Sequence, residues 1–116
     1  MGQITTIASG TVLTASGQTA AMKVQALDDG AVSQQAEISV EIIVTAVSGT
    51  TPSAQFSLLW SDDGVHFAAD ADTIGAAVTA VGNVLATVPV RAAYVAVAYT
   101  ITGTTPSFTV TADTYI

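Results

Sequence analysis

The sequence has no cysteine, so neither a disulfide framework nor a thiolate-bound metal is open to it. Cations are almost as scarce, since Lys23 and Arg91 are the only basic side chains. Nucleic-acid binding draws its affinity from neutralising several phosphates, which two cations cannot do, so no nucleic-acid partner is expected. The same deficit argues against an anionic membrane surface, and no membrane partner is expected either. The first residues, Met1-Gly2-Gln3-Ile4-Thr5-Thr6, lack the charged start and apolar stretch of a secretory signal. They fit the loose myristoylation pattern at Gly2 and Thr6, but no basic cluster follows to supply a second anchor. The longest apolar run, Val84 to Ile101, is interrupted by Pro89 and Arg91, and its Val, Tyr and Thr content suits strands.

Charge of either sign is rare. Charged residues make up 9% of the chain, against about 25% in an ordinary domain, and nine acids leave a net charge of −7. Half of the residues are hydrophobic, yet aromatics are only 6%, so the bulk comes from Ala, Val, Ile and Leu. The outer surface must therefore rest on Thr, Ser, Gln and Ala. Either these coat a solvent-facing β-sandwich, or much of the surface is covered by sister subunits or a larger partner. At 116 residues there is room for one domain with one core, spanning 1–116.

What is present is a period of two. From Ala36 to Ala46 the even positions are Ala36, Ile38, Val40, Ile42, Val44 and Ala46, while the odd ones begin Glu37, Ser39, Glu41. Such alternation sends one set inward and the other to solvent, which a helix would scramble. It returns at Ala54, Phe56, Leu58, Trp60, at Met22, Val24, Ala26, and at Phe108, Val110, Ala112. Val90 to Ile101 is apolar on both faces, as a central or interface strand would be. Turn chemistry falls at Asp28-Asp29-Gly30, Ser48-Gly49-Thr50-Thr51-Pro52, Ser61-Asp62-Asp63-Gly64 and Gly103-Thr104-Thr105-Pro106. Read together, these features predict an all-β fold: a single antiparallel β-sandwich or jelly-roll of seven to nine strands. Ile4–Ala8 and Thr11–Ala15 are the first two strands of that reading, and Ala26 to Gln35 is a loop or short helical turn. Val47-Ser48-Gly49-Thr50-Thr51-Pro52-Ser53 recurs as Ile101-Thr102-Gly103-Thr104-Thr105-Pro106-Ser107, which suggests two equivalent strand–loop–strand connections.

Catalytic chemistry has little to build on. His66 lies near Ser61, Asp62 and Asp63, but all four fall within one hairpin, whereas a nucleophile, base and orienter normally converge from separate elements. Glu37 and Glu41 share a strand face, but at four residues' spacing they stand roughly 13 Å apart, too far for a glycosidase pair. Asp62, Asp63, Asp70 and Asp72 are oxygen ligands that calcium accepts, as are Asp28 and Asp29, but neither group has the calcium-loop spacing and both suit turns. No catalytic, cofactor-binding or metal-binding residues are assigned, and no cofactor is expected. Trp60 to Phe67 is similar to the Asp-box hairpin of β proteins, one residue short, which implies a tight hairpin with Trp60 and Phe67 at its base.

The two repeated Gly-Thr-Thr-Pro-Ser connections, each followed by an alternating strand, stand beside the Trp60-Ser61-Asp62-Asp63-Gly64…Phe67 hairpin. In that combination the chain resembles the small β-sandwich structural proteins of tailed phages. The shortage of charge and the lack of a basic arm point within that group to capsid decoration, or cement, proteins. The resemblance implies a non-enzymatic virion subunit, made in the host cytoplasm and seated on the outside of the head. It also implies partners in the major capsid protein and in sister copies, commonly as a homotrimer. A carbohydrate-binding or adhesin-like sandwich is the alternative.

Overall fold

The computed structural model describes residues 4–24, 37–68 and 72–115, and within them every regular element is a strand. The predicted Ala26–Gln35 loop and the Asp28-Asp29-Gly30 turn lie outside the described residues. In chain order the strands are β1 (Ile4–Leu13), β2 (Gly17–Gln18), β3 (Met22–Lys23), β4 (Glu37–Ser61), β5 (Asp72–Val78), β6 (Gly82–Pro89) and β7 (Tyr94–Tyr115). All pairings are antiparallel and join the seven strands into one hydrogen-bonded sheet.

Two strands are far longer than a strand of ordinary length. The 25 residues of β4 would stretch roughly 80 Å if straight, at about 3.3 Å per residue, yet the longest dimension of the molecule is 48 Å. Both β4 and β7 therefore bend sharply, and they bend together. They pair from Ser39↔Tyr115 to Ser61↔Tyr94, and the repeated motifs meet in the middle at Thr50↔Thr104. The sheet thereby folds over into two layers. One holds β1, the end of β7, the start of β4 and β6; the other holds β2 with β3, the start of β7, the end of β4 and β5. Ile38, Ile42 and Phe108 from the first layer share one core with Phe56, Leu58 and Val97 from the second. A slot of about 290 Å³ remains between the layers, lined by Ile7, Ile42 and Val110 on one side and Phe56 and Tyr99 on the other.

The Gly-Thr-Thr-Pro-Ser copies are thus not chain reversals, as their turn chemistry suggested, but the two sides of one corner. Gly49 and Gly103 take φ of 113° and 119°, and Thr51 and Thr105 take 47° and 45°, so the two copies have matching backbones. Their closeness explains the glycines. A Cβ on Gly49 would sit 2.7 Å from the Thr105 carbonyl oxygen, and one on Gly103 would sit 2.8 Å from that of Thr51. Pro52 falls inside the register shift between Thr50 and Ser53, where a missing N–H costs the ladder nothing.

Irregularities decide which alternating residues point inward. Ile38, Val40, Ile42 and Val44 are buried as the period predicts. A register shift at Thr45 then turns Ala46 out to solvent and leaves Val47 packed on the core, contrary to the uninterrupted Ala36–Ala46 alternation. At the N-terminus the two expected strands are one, β1, with irregularities between Thr6 and Thr11. Val90 to Ile101 is apolar because β7 is central in its layer. Val95 and Val97 enter the core, Tyr99 and Ile101 pack against it, and Ala96 on the other face is also fully buried.

Gly49→Ala and Gly103→Ala should each cost about 3 kcal/mol or more, since a backbone clash adds to strain at positive φ. Gly10→Ala, with φ 55° but open space around it, should cost about 1 kcal/mol. Urea denaturation of the three variants checks the order, and equal losses at all three sites would contradict the corner account.

Candidate functional site

Among the described residues, side-chain hydrogen bonds cluster at the end of β4, where the chain turns toward β5. Ser61, the last residue of β4, is buried, and the chain behind it turns through Asp62 to His66 before Ala68 N–H donates back to the Trp60 carbonyl at 3.1 Å. Gly64 takes φ 77°, and a Cβ there would lie 3.2 Å from the Tyr94 ring, so glycine serves both the bend and the close packing. Trp60 is 6% exposed, and Phe67 is partly buried, in keeping with the hairpin base read from the sequence.

Ser61, Asp63 and His66 do come together, although one hairpin supplies all three. Their order is wrong for nucleophilic catalysis. The Ser61 hydroxyl donates to Asp63 Oδ1 at 2.8 Å, and His66 Nδ1 donates to Asp63 Oδ2 at 2.8 Å, so the acid stands in the middle where a triad needs the imidazole. Ser61 Oγ also accepts from the backbone N–H groups of Asp63 and Gly64, at 3.2 and 2.9 Å. The Ser61 hydroxyl is thus engaged in the turn both as donor and as acceptor, and its proton points to Asp63, not to the imidazole. Asp63 Oδ1 accepts in addition from the N–H groups of Val65 and His66, at 2.8 and 2.9 Å. The His66 backbone N–H, then the His66 ring, the Val65 N–H and the Ser61 hydroxyl, hold the Asp63 carboxyl far below the usual carboxylate range. The network closes a turn.

A second polar group adjoins it. Asp72 Oδ2 accepts from Arg91 Nε at 2.7 Å and from Trp60 Nε1 at 2.8 Å. The Arg91 bond lowers the Asp72 pKa first, burial opposes it, and the Trp60 bond lowers it further; Arg91 is raised in return. This ties the start of β5 and the approach to β7 to the buried indole. Around both groups runs an open depression of about 700 Å³, lined by Trp60, Asp62, Asp63, His66, Phe67 and Arg91 among others. Of the six acids considered as calcium ligands, Asp63 and Asp72 are engaged as described, Asp62 is exposed, and Asp28, Asp29 and Asp70 lie outside the described residues. Among the described residues no three His, Asp or Glu side chains gather as a metal site would require.

Glu37 and Glu41 lie on the solvent side of the first layer. Their spacing along the strand hid a closer pair, because β4–β7 register sets Glu41 directly opposite Asp113. Asn83 Nδ2 donates to Glu41 Oε2 at 2.9 Å, and the Thr6 hydroxyl donates to Asp113 Oδ1 at 2.8 Å, which tempers the like-charge contact. The alternation on both strands marks them as facing outward, but only the pairing of two distant segments makes them neighbours.

Comparisons with protein-family models, curated proteins and solved structures return no match.

Two outcomes test the turn account. Gly64→Val should lower stability by roughly 1–3 kcal/mol, whereas Asp62→Ala should leave the melting temperature unchanged. Asp63→Ala should lower it, in contrast to the silence that a simple loop-tip acid would show, and added calcium should not raise it. A calcium-dependent rise abolished by the Asp changes would make the loop a metal site. The second outcome concerns acid. Because folded Asp63 and Asp72 titrate below their ordinary values, their contribution is complete above the unfolded carboxylate pKa of about 3.9 and is lost as pH falls through the lower folded values. Thermal melts should therefore lose stability below about pH 4, and Asp63→Asn should flatten that loss. An unchanged acid limb in the variant would remove Asp63 from the account.

Proposed function

We propose that this chain is a virion structural protein, a capsid decoration subunit that stabilises the outer surface of a phage head and has no enzymatic activity. The observation that carries this reading is the engagement of the reactive side chains. Ser61, Asp63 and His66 bond one another and their own turn, while Asp72, Arg91 and Trp60 brace the neighbouring hairpin. What the described residues otherwise offer to partners is a β surface of hydroxyls and small apolar groups, with Glu37, Glu41 and Asp113 on one layer. The paired Gly-Thr-Thr-Pro-Ser corner and the Trp60–Phe67 hairpin, which carry the resemblance to phage sandwiches, prove to be the framework of this fold.

Its partners in this reading are the major capsid protein and copies of itself arranged as a homotrimer, with neither nucleic acid nor membrane involved. The outer face around the start of β7 carries the half-buried, uncharged Ser57, Leu59 and Ala98, which suit contact between copies. The carbohydrate-binding alternative asks for an exposed aromatic platform. Trp60 is 6% exposed with its indole N–H bonded to Asp72, Tyr94 and Tyr99 are partly buried, and Tyr115 stands alone at 51% on the opposite layer.

Attachment through apolar burial and backbone bonding does not weaken as salt shortens the screening length to about 3 Å at 1 M, whereas charge-driven attachment does. Occupancy on shells lacking the protein, titrated at low salt and at about 1 M, should change little. A tenfold or greater loss at high salt would instead assign docking to the acidic loop around Asp62 and Asp63. Light scattering after size exclusion should give the mass of three chains, and a monomer at micromolar concentration would limit the trimer to the shell.

A further inference from the structure

The four outer edges of the two layers are not equally defended. An open strand edge presents unpaired N–H and C=O groups to any passing chain, and natural sheets blunt such edges by bulges, brevity, charge or proline. The edge strand β1 is broken by two register shifts between Thr6 and Thr11. β5 carries a shift opposite Ala54–Phe56, with Gly75 at φ 63° inside it. β2 and β3 have two residues each. β6 has no bulge, is not short and carries no charge. Its eight residues pair with β4 without a break, from Glu37↔Pro89 to Val44↔Gly82, and they include no charged residue. Its only proline, Pro89, stands at the far end. Leu85 in its centre is 65% exposed, and Val81 just before it is 64% exposed. Among the described residues no strand pairs with the far side of β6.

We infer that the β6 edge is a docking site for an extended, non-acidic strand of another protein, which adds to the first layer beside Gly82–Pro89. Alternate β6 residues turn their backbone groups away from β4, so an added strand completes a ladder already straight and in register. Charge selects the occupant. The solvent face next to β6 holds Glu37, Glu41 and Asp113 on β4 and β7, while Lys23 lies on β3 of the other layer and Arg91 is bonded to Asp72. Pairing β6 with the β6 of a second copy would join two such acidic faces into one sheet, in a chain whose net charge is −7. A strand free of acids, with a lysine or arginine at its ends, meets no such repulsion.

The inference deepens the attachment reading above and rests on it only for whose strand fills the edge. The test therefore uses a synthetic strand. The probe is a capped peptide of alternating threonine and valine with lysine at both ends, compared with the same peptide ended in glutamate, each added to the isotope-labelled full chain. The lysine-ended peptide should slow hydrogen exchange at least tenfold at alternate amides between Gly82 and Val88, and the glutamate-ended one should bind at least threefold more weakly. Leu85→Lys, a change at an exposed position, should leave the circular dichroism and melting temperature in place and weaken the lysine-ended peptide at least tenfold. Shift changes centred on β1 or β5, or none on β6, would overturn the assignment. So would a concentration-dependent dimer with β6 amides already protected in the free protein, which would give the edge to a second copy. Peptide binding at β6 together with failure to bind shells would leave this site standing and remove the capsid from the functional reading.

Discussion

The molecule depends on one antiparallel pairing, that of β4 with β7, and on the requirement that both strands bend at the same point. A two-stranded ribbon that folds over on itself supplies the central strands of both layers at once, so the shared core is built on either side of a single hinge. That hinge brings two backbones closer than a side chain permits, which is why Gly49 faces the Thr105–Pro106 backbone and Gly103 faces that of Thr51–Pro52. Crossing the corner also resets which residues face inward. In β7 the buried set changes from Val95 and Val97 to Phe108, Val110 and Ala112, odd positions giving way to even. In β4 the corner alone would do the same, but the irregularity at Thr45 makes a compensating change, and both Ile38–Val44 and Ala54–Trp60 are buried at even positions. Two local interruptions thus produce a pattern that reads from the sequence as simple.

That disguise sets the limit on what the sequence revealed. Side-chain alternation depends only on local geometry, so the all-β class and the inward residues Ile38 to Val44, Ala54 to Trp60 and Phe108 to Ala112 were legible. Gly and Pro mark places where a regular ladder is interrupted, but they do not say whether the chain reverses or passes through. Ser61–Gly64 reverses and Ser48–Pro52 does not, and the difference lies in whether a partner strand carries the same interruption opposite. The two copies of the motif were visible, but their contact was not. The polar site followed the same rule. Gly64, Ser61 and Asp63 were recognisable as turn residues, whereas Asp72 with Arg91 and Glu41 with Asp113 become neighbours only through strand pairing between distant segments.

The low charge has a structural counterpart in hydroxyl chemistry. Where an ordinary sheet would set lysine across from glutamate, this one bonds Ser39 to Thr87 at 2.8 Å and the Gly10 N–H to Thr111 at 3.0 Å. Inside, the buried Thr114 donates to the Thr5 carbonyl at 2.9 Å. Short hydroxyls restrict little side-chain freedom when they bond, and they link neighbouring strands without adding to the acidic charge of that face. Such a surface suits close packing against other protein.

The pairing of the first strand with the last has a consequence for how the chain acquires its shape. Among the described residues β1 pairs only with the final segment of β7, with Thr5 opposite Thr114 and Leu13 opposite Phe108. β2, β3 and most of β4 also wait for β7. The topology therefore has a high contact order, and folding must close loops of many tens of residues before the pairings reward it. During synthesis, at about 5–20 residues per second, neither layer can be completed until β7 has left the ribosome. Through that interval the apolar face of β4 is without its main partner. Loss of the last residues of β7, Thr111 to Tyr115, would strip β1 and the start of β4 together, so a complete β7 is itself a condition of stability.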